Sequence, residues 1–414
     1  MSANIPFQRL FLTLLTGWLL SGCGGGNGVE IHRWPIQENG LYGYIDDDGD
    51  QVIACQFAYG MPFSEMIGGV NVGGTAVRGD VPTDGKWGFI DMNGNFIINP
   101  KYDPIPNGAA PFNLNELSRN VMHQGYIFSE KLAPVYKDGR WIYIAYLPEK
   151  KKDTVYIDYA SKVVDGVKKQ WPIQSARSFS NGLAAVYLDN KWGYINYWGD
   201  IIIEPKYLYP VNFSEGMVLV MDEDLQTHVL DTLGNERLPF YHVETSFFDN
   251  TATAKNKFKG EKVPLKEELK YTLIDTAGEF LFEAQFDYIG PYQDGLCPVL
   301  IGSQPQELVL YPDKYESLSV KGGKWGYINR LGEMIHNPVY DKARAFKDGF
   351  APVRKGQLWG YISASGSMLT SYEFVWAGDF HGGMAKVKLG PAHNTYEGKF
   401  AYLHQSGSII YIAP

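Results

Sequence analysis

Large apolar side chains alternate with small or polar ones in short runs along much of the chain. In the run 86–91 (KWGFID), Trp87 and Phe89 are two residues apart, so an extended strand places both on one face. Gly94 follows within a few residues, in an Asp-x-x-Gly pattern that suits a turn with positive φ. The pattern therefore predicts short strands joined by tight turns.

The run KWGFID recurs as a tandem repeat. Residues 191–196 and 324–329 read KWGYIN, residues 41–46 and 358–362 are close variants, and weaker copies lie between them. Each copy is named here by its anchor, the residue at the Trp position. The nine anchors are Tyr42, Trp87, Trp141, Trp192, Thr227, Tyr271, Trp325, Trp359 and Phe400.

Three further elements follow most anchors. A turn Gly is followed by an apolar run with a Pro and a final aromatic residue, as in Phe96–Tyr102, and then by an aromatic-x-x-Gly turn, as at 179–182. A short alternating strand, as at 183–186, completes the unit. One unit thus reads as strand, turn, strand, loop, strand. We expect Pro100 to end the second strand because Pro cannot donate a ladder hydrogen bond.

These motifs resemble the WG-repeat family, also called KWG repeats, which is common in bacterial exported and surface proteins. The resemblance covers residues 30–414, although the copies at 141, 227, 271 and 400 depart from Trp-Gly. It implies a β-rich repeat array and gives no active-site residues to carry over. The anchors are then structural positions. They are Tyr42, Gly43, Trp87, Gly88, Trp141, Trp192, Gly193, Trp325, Gly326, Trp359 and Gly360.

A three-stranded unit of this size cannot bury its own apolar face, so neighbouring units must stack. We predict an all-β fold: a tandem array of about nine three-stranded WG-type repeats in an open, solenoid-like stack. The variable spacing of the anchors favours this open stack. A β-propeller-like ring is the alternative. We expect the anchor Gly to let an aromatic side chain of the neighbouring repeat pack close to the backbone.

The N-terminus has a different pattern. After Arg9, the apolar stretch Leu10–Leu20 is too short to span a bilayer, which needs about 20 residues, and it is typical of a signal peptide. The following Leu-Ser-Gly-Cys resembles the lipobox of bacterial lipoproteins, so we predict that Cys23 is lipidated; an ordinary cleaved signal is the alternative. The predicted domains are the signal peptide at 1–22, a Gly-rich tether at 23–29 and the repeat array at 30–414. The chain is then a membrane-anchored lipoprotein of the bacterial cell envelope, and Gly24 in place of Asp favours the outer membrane.

The charged and nucleophilic residues do not form a recognisable catalytic pattern. The net charge of −9 disfavours nucleic-acid binding, and none of the eight His has a metal-ligand spacing. The acidic run 46–50 is the turn of the first repeat rather than a calcium loop. Cys55 and Cys297 occupy repeat positions, so a disulfide is expected only if the array closes into a ring. We predict no enzyme activity, no metal and no cofactor.

Binding residues are therefore sought where the repeat pattern is broken. Insertions lie at 148–170 and 390–398, among other places, and the first carries a cluster of Lys residues. Trp side chains outside the anchor positions are the possible ligand contacts. They are Trp34, Trp171, Trp198 and Trp376. The sequence predicts a non-enzymatic scaffold for an unidentified envelope protein; the alternative is a carbohydrate- or peptidoglycan-binding protein.

Overall fold

The computed structural model describes residues 31–75, 77–78, 81–105, 125–208, 211–224, 227–238, 243, 246–255, 270–303 and 322–414. The predicted signal peptide, the tether and Cys23 lie outside these residues. His32–Pro414 form one unit, to which all of the described strands belong. In the part of the chain that is described, no helix is both long enough and apolar enough to cross a membrane.

Antiparallel strands make up nearly all of the regular structure. Repeats 1 to 3 contain β1 (Trp34–Glu38), β2 (Leu41–Ile45), β3 (Gln51–Phe57), β4 (Tyr59–Gly60), β5 (Gly68–Val72), β6 (Val77–Arg78), β7 (Val81–Pro82), β8 (Lys86–Ile90), β9 (Phe96–Tyr102), β10 (Leu132–Lys137), β11 (Arg140–Leu147), β12 (Lys152–Ile157), β13 (Ala160–Val164) and β14 (Val167–Trp171). Repeats 4 to 6 contain β15 (Ser175–Ala176), β16 (Leu183–Leu188), β17 (Lys191–Asn196), β18 (Ile201–Tyr207), β19 (Met217–Met221), β20 (Thr227–Asp231), β21 (Thr251–Lys255) and β22 (Tyr271–Asp275).

The last three repeats complete the array. They contain β23 (Tyr288–Ile289), β24 (Cys297–Ser303), β25 (Gly322–Ile328), β26 (Met334–Tyr340), β27 (Lys342–Ala343), β28 (Phe350–Lys355), β29 (Leu358–Ser363), β30 (Phe374–Ala377), β31 (Met384–Leu389), β32 (Phe400–His404) and β33 (Ile409–Ile412). Two short 3-10 helices, Pro148–Lys150 and Pro391–Tyr396, are described between strands. The predicted all-β array of repeats is confirmed.

The strands of one sheet are grouped differently from the predicted unit. The alternating strand β16 pairs with the anchor strand β17 that follows it, and β18 and the two-residue strand β15 flank this pair. Asp189 and Asn190, at φ 47° and 67°, form the two-residue connection between β16 and β17, a geometry that matches the twist of a hairpin. A repeat therefore begins before its anchor, and a short fourth strand supplements the three predicted ones.

The anchor Gly is required by a strand crossing within its own repeat. Trp87 pairs with Tyr102, and Phe89 pairs with Ile98, so three residues of β9 bulge opposite Gly88. A Cβ on Gly88 would lie 2.7 Å from the carbonyl oxygen of Ile98 and 2.8 Å from the nitrogen of Pro100. Two expectations were therefore wrong. Backbone of the same repeat, not a neighbouring aromatic, packs against the Gly, and Pro100 lies in the bulge while β9 continues to Tyr102.

Each anchor strand is buried on both of its faces. In β17, Trp192 and Tyr194 share a cluster with Val218 of repeat 5. Ile195, from the opposite face, packs with Tyr143 of repeat 3. A strand that needs apolar neighbours on both sides explains why the anchor runs are almost continuously apolar.

A Tyr hydroxyl joins successive repeats. Tyr194 donates a hydrogen bond to the carbonyl oxygen of Val211 at 2.8 Å, and Tyr361 donates one to that of Gly378 at 2.6 Å. Both acceptors lie two residues before the aromatic residue that opens the next aromatic-x-x-Gly turn. These turns are also joined to each other, since the Asn181 side chain accepts a hydrogen bond from the backbone nitrogen of Gly216 at 2.6 Å.

The last repeat makes the same kind of contact with the first. Tyr402 of repeat 9 occupies the position of Tyr361 and donates a hydrogen bond to the carbonyl oxygen of Pro35 at 2.8 Å. Its side chain packs with Trp34 and Ile36. The turn Gly of repeat 1, Gly49, lies against Ile410, just as Gly234 lies against Ile203. These contacts agree with the ring-like alternative rather than with an open stack.

The Lys that precedes several anchors forms a second link between repeats. Lys324 forms an ion pair with Asp341 at the end of the same repeat, and the other oxygen of Asp341 accepts a hydrogen bond from the Gly356 nitrogen of repeat 8 at 2.6 Å. Lys86 and Asp103 repeat the arrangement in repeat 2. The hydrogen bond from Lys324 is the main reason that the pKa of Asp341 lies below its ordinary value.

Removal of one hydroxyl group tests whether repeat 9 closes the array against repeat 1. Tyr402→Phe should lower the free energy of unfolding by about 1 to 3 kcal/mol, because it leaves the Pro35 carbonyl without its donor. Tyr361→Phe is the matched variant at an internal junction and should cost a similar amount. Urea unfolding of the full chain measures both. A clear loss for Tyr361→Phe with none for Tyr402→Phe would contradict closure.

The Lys324–Asp341 link predicts a pH dependence. Because the folded pKa of Asp341 is lowered, its contribution to stability is complete above the unfolded value of about 3.9 and is lost as the pH falls through the folded pKa. Asp341→Asn should therefore lower the urea midpoint at neutral pH, and the difference from the parent chain should shrink below about pH 4. Asp165→Asn, in an exposed hairpin turn, is the control. A difference that is independent of pH would contradict the assignment.

Candidate interaction surfaces

The anchor Trp residues lie in the core, in agreement with a structural role. The five anchor Trp side chains are at most 8% exposed. Their apolar surface is buried in contacts within the array, so neither face of these rings is accessible to a ligand. They are Trp87, Trp141, Trp192, Trp325 and Trp359.

Trp34 is also unsuited to bind a ligand, although the sequence predicts it as a contact. It is 9% exposed and lies in the contact between repeats 1 and 9. Its indole nitrogen donates a hydrogen bond to Asp47 at 2.9 Å, and its ring is 5.9 Å from that of Tyr402. The missing repeat pattern around Trp34 thus reflects closure of the array.

Trp198 is 64% exposed at the tip of the turn that follows β17. The same turn position, one residue before the turn Gly, holds Leu233 in repeat 5 and Leu331 in repeat 7, which are 75% and 67% exposed. Repeats 1 and 2 carry Asp48 and Asn93 there. We call Trp198, Leu233 and Leu331 the turn edge; they are large apolar residues at equivalent turn positions of repeats 4, 5 and 7.

The hairpin of β13 and β14 lies next to the turn of Trp198 and forms the second half of the predicted insertion at 148–170. The Ser161 nitrogen donates a hydrogen bond to the carbonyl oxygen of Gly199 at 2.7 Å, so the base of the hairpin is held against the turn of Trp198. Val163 and Val167 are exposed near its tip. Trp171 pairs with Ala160 at the base and is half-buried. The structure therefore places Trp171 near Trp198 through the hairpin.

The fourth predicted contact, Trp376, lies on the outer strands of repeat 9. Trp376 pairs with Lys388, and Lys388 pairs with Phe400, so the three side chains form one row across β30, β31 and β32. The rings of Trp376 and Phe400 are 6.3 Å apart and nearly perpendicular, at 79°. The guanidinium of the buried Arg344 lies 5.8 Å from the Trp376 ring. We call Trp376, Lys388 and Phe400 the aromatic corner.

The two Cys residues of the array are separate and unpaired. Cys55 is half-buried and Cys297 is buried, and burial raises the pKa of both thiols. A raised pKa disfavours the reactive thiolate. Among the described residues, no group of three or more His, Cys, Asp or Glu is placed to hold a metal ion.

Several surface residues are not evident from the repeat pattern. Leu233 and Leu331 lie inside weak or ordinary repeats, and Phe400 occupies an anchor position whose Trp equivalents are buried. For the two Leu residues a signal existed, because an apolar side chain at the tip of an Asp-x-x-Gly or Asn-x-x-Gly turn has no strand neighbour to cover it. The exposure of Phe400 depends on its outer position in repeat 9.

The family model described as WG containing repeat matches seven segments of the chain, which cover just over half of its residues. The segments are 42–75, 87–116, 173–192, 192–225, 271–303, 325–359 and 359–390. A comparison with curated protein sequences finds no match.

Solved structures share only a distant resemblance with this chain. BamB from Moraxella catarrhalis is 12% identical, with a TM-score of 0.32, over 63% of this chain and 76% of that one. A eukaryotic initiation factor is 8% identical, with a TM-score of 0.37, over 94% and 89%. Hsv2 of Kluyveromyces lactis is 9% identical, with a TM-score of 0.28, over 54% and 71%.

TM-scores below 0.5 support no statement about activity or partners. The family match is different, because its segments begin at the anchors Tyr42, Trp87, Trp192, Tyr271, Trp325 and Trp359 or end at one of them. The strand pairing around these anchors gives the motif its physical basis. The chain therefore belongs to the family of WG-repeat proteins.

Proposed function

We propose that this protein is a lipid-anchored, non-enzymatic scaffold of the bacterial cell envelope that binds a partner protein. The observation that carries the proposal is the turn edge. Exposed large apolar side chains mark candidate protein interfaces when they recur on one edge of a fold. Here Trp198, Leu233 and Leu331 occupy equivalent positions on successive or nearby repeats.

The repeat array is suited to present the turn edge to a partner protein. The turns that carry the apolar side chains are held by side-chain hydrogen bonds. In repeat 4, Asn196 accepts hydrogen bonds from the nitrogens of Trp198 and Asp200, both at 2.9 Å. In repeat 5, Asp231 accepts one from the nitrogen of Leu233 at 2.9 Å. A rigid turn loses little conformational entropy on binding, which favours a preformed interface.

The lipid anchor is proposed from the N-terminal sequence. An acylated Cys23 with more than one chain would give stable attachment to a bilayer, and Gly24 favours the outer membrane as the location. Attachment through a short tether would keep the array close to other envelope proteins.

The anchor predicts a simple outcome for Cys23→Ala. In a bacterial host, the parent chain should gain the mass of the lipid and fractionate with membranes, whereas the variant should remain unlipidated and soluble because it lacks the thiol. Intact-mass measurement and membrane fractionation test this. Membrane association of the parent chain without a lipid on Cys23 would contradict the proposal.

The turn edge predicts which variants lose the partner. Leu233→Ser together with Leu331→Ser should reduce cross-linking to envelope proteins, while the free energy of unfolding should change by less than about 1 kcal/mol because both side chains are exposed. Leu41→Ser is the matched control, because Leu41 is an exposed Leu at the start of β2 in repeat 1, at the end of the strand away from its turn tip. Cross-linking with size-exclusion chromatography measures complex formation. Unchanged complexes in the double variant, or hydrolytic turnover on a substrate panel, would count against the scaffold.

Carbohydrate binding is the second candidate function, and the aromatic corner favours it. Trp376 and Phe400 are 39% and 43% exposed on the paired strands β30, β31 and β32. Exposed aromatic rings pack against the C–H bonds of sugar rings. Trp198 and the half-buried Trp171 remain possible contacts, but they lie apart from this corner in sequence and on another repeat.

A further inference from the structure

We propose that the aromatic corner binds an acidic saccharide built from hexuronate units. This inference rests on the second candidate function and specifies its ligand. A pyranose ring would stack on the indole of Trp376, with Phe400 as a perpendicular wall and Lys388 as the partner of the sugar carboxylate. The row of three strands that carries these residues fixes their order.

Geometry supports the stacking platform. Trp376 and Phe400 meet edge to face at 79°, with ring centroids 6.3 Å apart, so together they form a corner rather than a flat stack. The C–H bonds on one face of a pyranose are weakly positive and suit the negative face of an aromatic ring. A sugar on Trp376 would thus contact a second ring at its edge.

The buried side chain of Arg344 holds the indole of Trp376 in place. The guanidinium of Arg344, which is 7% exposed, lies between Trp359 and Trp376, at 5.1 and 5.8 Å from their ring centroids. Its Nη1 is 3.6 Å from a carboxylate oxygen of Asp379. A buried cation fixed in this way restricts the indole, and a restricted side chain loses less entropy when a ligand binds.

Charge selects an acidic sugar. The Lys388 ammonium lies 5.6 Å from the Phe400 ring centroid, and the Lys386 ammonium lies 4.7 Å from it. Within the described part of the chain, no carboxylate forms an ion pair with Lys388. The positive charge of Lys388, in a chain of net charge −9, favours a ligand that brings its own carboxylate, since charge-assisted hydrogen bonds are the stronger ones.

Titration of the full chain with trigalacturonate tests the proposal, with neutral galactotriose as the comparison ligand. Calorimetry and Trp fluorescence should show saturable binding of trigalacturonate and at least about tenfold weaker binding of galactotriose. Trp376→Ala and Lys388→Gln should each weaken trigalacturonate binding about tenfold or more. Phe96→Ala, which removes a 42% exposed aromatic side chain on repeat 2, should leave it unchanged.

The outcomes separate the ligand class from the site. Lack of trigalacturonate binding, or equal affinity for galactotriose, would overturn the acidic-saccharide proposal. Binding that survives both Trp376→Ala and Lys388→Gln would overturn the aromatic corner as the site while leaving carbohydrate binding in place. Lys388→Gln keeps the inference testable if Trp376→Ala unfolds the chain, because Lys388 is half-buried and can lose its charge without leaving a cavity. Cross-linking at the turn edge reports on the scaffold independently of all these results.

Discussion

The middle strand of each repeat is buried on both faces, and the rest of the structure depends on this. In β17 one face packs toward repeat 5 and the other toward repeat 3, so a sheet with a neighbour on one side only would leave large apolar side chains in water. The array meets this requirement at its ends by bringing repeat 9 against repeat 1. The Tyr402–Pro35 hydrogen bond and the cluster around Trp34 serve there as the Tyr194–Val211 and Tyr361–Gly378 hydrogen bonds serve at internal junctions.

The same requirement separates structural from functional residues. Because packing within and between repeats buries the anchor Trp side chains and the anchor Gly, the most recognisable part of the sequence is inaccessible to ligands. Side chains at the turn tips and at the exposed face of the strands of repeat 9 remain accessible. The turn edge on repeats 4, 5 and 7 and the aromatic corner on repeat 9 are surfaces of these two kinds.

The two surfaces differ in the chemistry that they can recognise. The turn edge is apolar and suits the apolar patch of a protein, whereas the aromatic corner combines two rings with the positive charge of Lys388 and suits an acidic sugar. Under the proposed lipid anchor, both surfaces would act close to a membrane. Tethering raises the effective concentration of nearby ligands, so weak contacts at each surface can give useful occupancy.

The sequence by itself determined the β-rich repeat, the positions of its anchors and the tight turns, because alternation and turn chemistry are local properties of the chain. The tertiary structure decided how strands group into sheets, why Gly88 must be small, and that repeat 9 meets repeat 1. It also decided that Trp34 is buried while Trp198 and Trp376 are exposed. These features depend on which surfaces meet across repeats, and the pattern within one repeat carries no information about its distant neighbours.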